Sequence, residues 1–448
     1  MRTSPGADRE YFMTQRADVE AELPAGGRSL WSATARGFTS GSTAHGHLIT
    51  DVAVIGGGVA GLSTALHLRQ SGIETIVLEA SQPGSGASGV SAGILAPEFS
   101  RGGIAKACAL YGREAGERLA RLVGKSTAFV FDLIREHEIA CDLQTRGFVS
   151  PGRSPQEVEA LRSDGAEWRA LGCPVEFLDA KRTADAIGTE FYEAALYFEH
   201  GGALNPRAYA NELARVAVEL GARVFIDSAV RTVERRDGKW RLATSTAQVT
   251  ADRVVLAANG GNARLHPSLC RTTLPLSVYE YATVPMSADD RNRCFGAALP
   301  YTDRQAYVFS VRLDRDGRVI SAVPELFPKL RFETLIREAE RRFRDIHSMP
   351  LPAVEYAWPG TAYLNRTLLP AVYVIEDDLS LLAIQACNGR GLAINTILGR
   401  EIAELLESGD RRAIATPLLQ PRPVPMHAIA SAAPRLAMAL ARAKDKRL

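Results

Sequence analysis

The chain has 448 residues, 46% hydrophobic and 23% charged, a globular composition with enough apolar material for a sizeable core and a length that suggests two large domains rather than one. Its 53 basic and 51 acidic residues leave a net charge of +2, which gives no support to nucleic acid or an anionic membrane as an obligate partner. No apolar run of the roughly 18 residues that could span a bilayer occurs, and the N-terminus lacks the order of a secretory signal. With six cysteines, no CxxC pair and no metal spacing, the expectation is a cytoplasmic protein without disulfides or bound metal.

Residues 1–27 are polar and aperiodic and read as a loose extension. Residues 50–80, TDVAVIGGGVAGLSTALHLRQSGIETIVLEA, then hold an apolar strand, a glycine turn, a helix and a second strand ending in an acid. This is the fingerprint of dinucleotide binding. Gly56 permits the tight turn, Gly58 lets the backbone approach a pyrophosphate, and Gly61 lets helix and sheet pack closely. The helix opening at Val59 and Ala60 aims unpaired N–H groups at the phosphates, and Glu79, followed by Ala80, stands where ribose hydroxyls can be bound. The acid argues against a 2′-phosphate. There is no second GxGxxG in a strand–turn–helix context, so one nucleotide site is expected, and bound FAD is its best occupant.

The segment 85–97, SGASGVSAGILAP, is a small-residue loop of the kind that can lie against a planar cofactor, with Ser88, Ala92 and Gly93 as contacts; an ordinary flexible linker is the alternative. Helices are expected over 105–140 and 155–172, and another follows 206 to residue 220. The stretch 221–260 reads as strand, strand, hairpin and returning strand, with 224–230, including Val230, beside the adenine and Ala258 at the end of the last strand. Alternation over 273–323 predicts an antiparallel sheet, 332–344 a helix, and 351–410 a return to the nucleotide domain. The expected organisation is α/β, α+β overall: a discontinuous Rossmann-like FAD-binding domain (28–104, 195–272, 351–410), an antiparallel-sheet substrate domain (105–194, 273–350), and a tail (411–448). The tail carries apolar residues at helical spacing and a basic end, readable as a membrane-surface helix or, preferably, as a tail packed on the protein.

Several segments together resemble the FAD-dependent oxidoreductases of the D-amino acid oxidase and glycine oxidase superfamily, in particular its gamma-glutamylputrescine oxidase branch. They are SLWSATA at 29–35, the glycine turn with Glu79, GASGVSAG at 86–93, GGALNP at 201–206, VVLAANG at 254–260, YATVPM at 281–286, DGRVI at 316–320 and ACNGRGLAINTILGREIAELL at 386–406. The resemblance implies that the glycine turn holds the ADP part of FAD and the small-residue loop follows its ribityl and ring. It also implies that Asn388, Gly389, Arg390, Gly391 and Leu392 open a helix beside the flavin pyrimidine, where a helix N-terminus favours the charge of reduced flavin. Asn388 and Arg390 could instead cap that helix. The chain departs from the branch at Val90, Ser91, Ala92 and Gly93, where Arg-Asn-Gly-Gly is common, and at Val284, where an acid is usual. No recognised attachment residue stands in the loop, so the FAD is expected to be noncovalent.

The resemblance further implies oxidation of a carbon–nitrogen bond in an amine or amino acid. Hydride passes to the flavin, the imine hydrolyses, and electrons leave to dioxygen, forming hydrogen peroxide, or to another acceptor. The alternatives are another flavin chemistry, such as 2-hydroxy acid oxidation or N-demethylation, and a noncatalytic flavin-binding subunit. Candidate pocket residues are Tyr281, Tyr307, Arg312 and Trp358, with Tyr279 and Phe309 beside them; the aromatic groups could wall in an amine and Arg312 or Arg304 could clamp a carboxylate. Each aromatic is equally readable as a core residue, and for each arginine a surface position is the preferred reading. His67, on the first helix, has a packing or surface reading, and there is no HExxH and no GxSxG.

Overall fold

The computed structural model describes residues 23–327 and 331–445. The elements that position the site are β1 (Gly46–Ile55), α1 (Val59–Gln70), β2 (Thr75–Leu78), β3 (Ala247–Leu256), β4 (Leu274–Thr283), β5 (Ser310–Leu313), β6 (Val319–Pro324), α2 (Phe332–His347), β7 (Val354–Leu364), β8 (Leu381–Ile384), α3 (Gly391–Ser408) and α4 (Ala433–Asp445).

The first sheet is parallel through its centre, in the order β8, β3, β1, β2, then Arg223–Phe225. Residues 52–55 of β1 are buried without alternation because both faces are covered. Val52 and Val54 look into a core shared with α1, α3 and the helix Pro206–Glu219, while Ala53 and Ile55 meet Trp240 and Leu242 of a hairpin on the other face. Helices α1 and α3 cross at small residues. A Cβ on Gly399 would stand 2.6 Å from that of Ser63, whose hydroxyl donates to the Thr396 carbonyl at 2.6 Å.

The second sheet has eight strands in the order β7, β4, β6, β5, Tyr301–Thr302, Phe148–Gly152, Ala194–Phe198, Val175–Asp179. Its pairings are antiparallel except between Tyr301–Thr302 and Phe148–Gly152. Two segments expected with the nucleotide domain lie here instead: Ala194–Phe198 and β7. Alternating hydrophobicity identifies a strand but does not name its neighbour, which tertiary pairing decides.

Of the expected loose extension, residues 1–22 lie outside the described residues. Its end is not loose: Leu23 is buried with Tyr281, Leu335 and Ala339, and Pro24–Gly27 forms a short helical turn. The tail packs on the protein through one side. Arg442 pairs with Glu338, Asp445 accepts the Tyr307 N–H at 3.1 Å, and His427 reaches the Thr273 carbonyl. Among the described residues no helix is long and apolar enough to cross a membrane.

Candidate active site

The glycine turn joins β1 to α1 at the carboxyl end of the parallel sheet, where open α/β sheets bind their ligands. Gly56 has φ +115°, and a Cβ there would come 2.7 Å from the Ala257 carbonyl and 3.0 Å from the Ala258 nitrogen. A Cβ on Gly61 would fall 2.1 Å from the Gly56 carbonyl. Only hydrogen fits at either place. Gly58 is the N-cap of α1 and offers no side-chain acceptor; the Val59 N–H is met instead by Ser88 Oγ at 3.1 Å, and Ala60 is buried in the first turn. Glu79 accepts the Gly57 N–H at 2.6 Å and the Ser81 N–H at 2.9 Å, which fixes its carboxylate against the turn, with Ala80 exposed beside it. Backbone bonds from Ser228 to Glu79 and from Asp227 to Ser81 bring the segment that ends at Val230 to the same edge, and Ala258 is held by Asn262 Oδ1.

The small-residue loop leads from this cradle to the second sheet. It includes one helical turn, Ala87–Val90, and then runs extended to Gly93, where φ is +74° and a Cβ would meet the Leu204 carbonyl at 2.2 Å. Two indoles hold it. Trp358 donates its N–H to the Val90 carbonyl at 2.8 Å, and Trp31 donates to that of Ser91 at 2.9 Å. Asn205, from GGALNP, caps the following helix with its Oδ1 and donates to Thr34 Oγ1, so the Trp31 helix is tied down from below.

The sheet face under the loop follows from strand register. Trp358 stands opposite Glu280 across β7 and β4, and Ala282, Ile320 and Arg312 form the next row across β4, β6 and β5. Partners in a row share a face. That face therefore carries Trp358, Glu280 and Arg312, with the Arg312 guanidinium 4.7 Å over the Trp31 ring. Both charged groups are buried and incompletely bonded: Glu280 Oε2 and Arg312 Nε have no hydrogen-bond partner among the described residues. Burial pushes the Glu280 carboxyl well above the usual range, against the pull of Arg312 and of a hydrogen bond from the Ala92 backbone. Burial likewise brings Arg312 down to about 10, opposed by Asp314 and Glu280. Arg312 also lines a cavity with Trp31, Thr34, Gln144, Asn205 and Asp142.

The same register corrects the expected aromatic wall. Tyr281 is one residue from Glu280 and so points through the opposite face, into a cluster with Leu335 and Ala339 of α2. Tyr307 lies on that side too, under Arg342 of α2 at 4.3 Å, and Phe309 packs against Tyr301 and His347. The four expected pocket residues thus fall into two pairs separated by the sheet. Arg304 is fully engaged by Glu98, Asp164 and Ser150 and is no free clamp. Val284 is exposed at the end of β4, off the site face, and His67 is a packing residue stacked on Phe129. Glu280 was missed because a lone acid in an alternating strand reads as a solvent-facing position.

At the far end, Asn388 and Gly389 have positive φ, and neither Asn388 nor Arg390 caps α3 through its side chain. Asn388 Oδ1 accepts the Asn365 N–H at 3.0 Å, while Arg390 pairs with the buried Glu98 at 2.7 Å. Gly391 lies against Cys387, where a Cβ would come 2.7 Å from the cysteine Cβ, and Leu392 is buried in the first turn.

The family model for FAD dependent oxidoreductase (DAO) matches residues 51–405. The chain belongs to the DAO family of FAD-dependent oxidoreductases. Gamma-glutamylputrescine oxidoreductase of Escherichia coli (strain K12) is 27% identical over 396 residues, covering 86% of this chain and 90% of that protein. Among solved structures, glycine oxidase from Geobacillus kaustophilus aligns with a TM-score of 0.67 at 19% identity, covering 81% of this chain and 95% of that one. L-proline dehydrogenase from P. horikoshii aligns with a TM-score of 0.69 at 18% identity, covering 82% and 95%. These likenesses show a shared fold.

The residues present fit the DAO-family cofactor. A cradle that a Cβ at Gly56 or Gly61 would fill, and a carboxylate fixed at the end of β2, are what the ADP part of FAD requires. The turn at 56–61, Glu79, Val230 and Ala258 would hold that part, and the loop from Ser88 to Gly93 with residues 388–392 would hold the flavin.

Proposed function

We propose that this DAO-family protein oxidises a carbon–nitrogen bond of a small amine or amino acid, giving an imine that hydrolyses and passing the electrons to dioxygen, as hydrogen peroxide, or to another acceptor. When bound, without a covalent link, FAD supplies the hydride acceptor. The observation that carries the reading is the Arg312 guanidinium, buried beneath the cofactor loop with its Nε unshared among the described residues, beside a small cavity of about 20 Å³. A carboxylate or amide oxygen of the substrate would complete its hydrogen bonds, orienting the C–N bond. Asp142 and Asp314 line the same cavity, each paired with an arginine, Arg315 at 2.7 Å and Arg318 at 3.5 Å. Trp31 holds one face of Arg312 dry, and Glu280 positions the loop through Ala92. The name of the E. coli relative, gamma-glutamylputrescine oxidoreductase, supports an amine substrate.

The test is anaerobic addition of polyamines, gamma-glutamyl amines, N-methyl amines, amino acids and 2-hydroxy acids to the yellow holoenzyme. Loss of the flavin band near ~450 nm with an amine or amino acid is the expected result, with peroxide in air separating oxidase from dehydrogenase. Bleaching by 2-hydroxy acids alone, formaldehyde as the product, or no bleaching by any amine overturns the reading.

A further inference from the structure

We infer that Glu98 is a positioning residue of the cofactor site, holding Arg390 at the opening of α3 and cancelling the charge that Arg390 presents to the flavin. The inference rests on the reading that residues 388–392 hold the flavin. Ser63 of α1 donates to the Thr396 carbonyl of α3 at 2.6 Å, and α3 also packs on the short strand Ile94–Leu95 that follows the small-residue loop. The opening of α3 therefore lies close to the helix of the glycine turn and to the end of the loop. Glu98 comes just after that strand, and its side chain is 4% exposed. Its Oε1 accepts from Arg390 Nη1 at 2.7 Å and its Oε2 from Arg304 Nη2 at 2.9 Å. Arg304 is held in turn by Asp164 at 2.6 Å and by Ser150 Oγ at 2.8 Å, the serine lying on the strand Phe148–Gly152 of the second sheet. Arg390 lies over the Phe148 ring of that strand at 5.2 Å. One buried carboxylate thus joins the end of the loop, the second sheet and the opening of α3.

Stability alone does not account for this arrangement. Desolvation offsets much of the attraction within a buried ion cluster, and apolar residues of similar volume often serve a fold as well. Here the charges balance: the carboxylates of Glu98 and Asp164 answer the guanidiniums of Arg304 and Arg390. Burial opposes ionisation of Glu98, but Arg390 and Arg304 outweigh it and hold the carboxyl below its usual range. Arg390 has no other ion-pair partner among the described residues, so without the Glu98 charge it would stand uncompensated. A flavin gains negative charge on reduction, and an uncompensated cation beside it, poorly screened by water, favours the reduced form. Glu98 therefore acts on the flavin potential through Arg390, and lowers it.

The experiment is the flavin midpoint potential of the holoenzyme and of three variants, read by photoreduction against a reference dye. Glu98→Gln removes one negative charge and should raise the potential, by about tenfold in the ratio of reduced to oxidised flavin, or about 30 mV for two electrons. Arg390→Gln should lower it by a similar amount, and the double variant Glu98→Gln/Arg390→Gln should return it close to wild type. Loosened packing alone would not produce this pattern of signs. If Glu98→Gln loses FAD, the lowering by Arg390→Gln and its reversal in the double variant carry the test. Unchanged potentials, shifts of one sign in all three variants, or loss of FAD from all three overturn the inference. No amine enters the titration, so the result stands or falls independently of whether any amine reduces the enzyme.

Discussion

Trp31 and Trp358 meet edge to face with their ring centroids 6.1 Å apart, and their indole N–H groups go to the consecutive carbonyls of Ser91 and Val90. One ring comes from a five-residue helix near the N-terminus and the other from β7, so residues more than 300 positions apart fix the same short loop. The loop that would follow the flavin is thus held in part by the second sheet, through Trp358.

Trp358→Phe keeps the ring and removes the donor. The partly buried Val90 carbonyl then loses its donor, at a cost of about 1 kcal/mol. FAD should bind about tenfold more weakly or worse, read from the quenching of flavin fluorescence on titration. Unchanged affinity would show that the indole bond does not set the loop.

Gly61→Ala should abolish FAD uptake, because the new methyl would stand 2.1 Å from the Gly56 carbonyl. Gly72→Ala is the matched control: its φ is +77°, its surroundings are open, and a cost of about 1 kcal/mol in stability with normal FAD content is expected. Visible absorbance and thermal unfolding of both variants check the pair, and a fully yellow Gly61→Ala protein would contradict the cradle.

Arg312→Lys loses the planar stack on Trp31 and the Nε donor. If the guanidinium receives substrate, the dissociation constant for a reducing substrate that bears a carboxylate or amide should rise about 10- to 100-fold, the worth of a charge-assisted hydrogen bond of about 1.5–3 kcal/mol, with FAD content unaltered. Flavin bleaching at graded substrate concentrations measures it; an unchanged constant removes Arg312 from the binding site.

His347 gives a pH signature. A carbonyl can only accept, so Nδ1–H donates to Cys294 O at 3.1 Å and Nε2 accepts from the Tyr301 hydroxyl at 2.8 Å. Burial lowers this ring to about 4. The unfolded chain takes up its proton near pH 6.5 and the folded one only near 4, so the stability it contributes is complete above pH 6.5 and is lost as pH falls through that window, about 3 kcal/mol in all. Asp303, raised by burial to about 6, opposes this slope, since its neutral form is favoured in the fold. His347→Gln should be less stable at pH 7.5, because the ring stacks on Phe343, yet lose less on acidification. Melting temperatures from pH 7.5 to 4.5 decide it, and parallel curves for the two proteins would refute the assignment.

Much of the cofactor side was legible because it is local. The turn at 56–61, Glu79 and the small-residue loop are contiguous, and their chemistry depends on missing side chains that sequence states directly. The substrate side was less legible. Tyr281 and Glu280 are neighbours in one strand, and only the pairing of β4 with β7 and β6 tells which of them faces the loop; Arg304 read as a possible clamp until Glu98 and Asp164 were seen to hold it.

Sequence by itself determined the nucleotide cradle, the order of the elements and the family, since these rest on short-range geometry and on segments in a fixed order. Tertiary structure alone decided that β7 and Ala194–Phe198 join the second sheet, that Arg312 and Glu280 share its loop-facing side, and that one side of the basic tail is left bare. The physical reason is the same in each case: a strand or helix announces its two faces through its period, but which face is buried is set by partners distant in the chain.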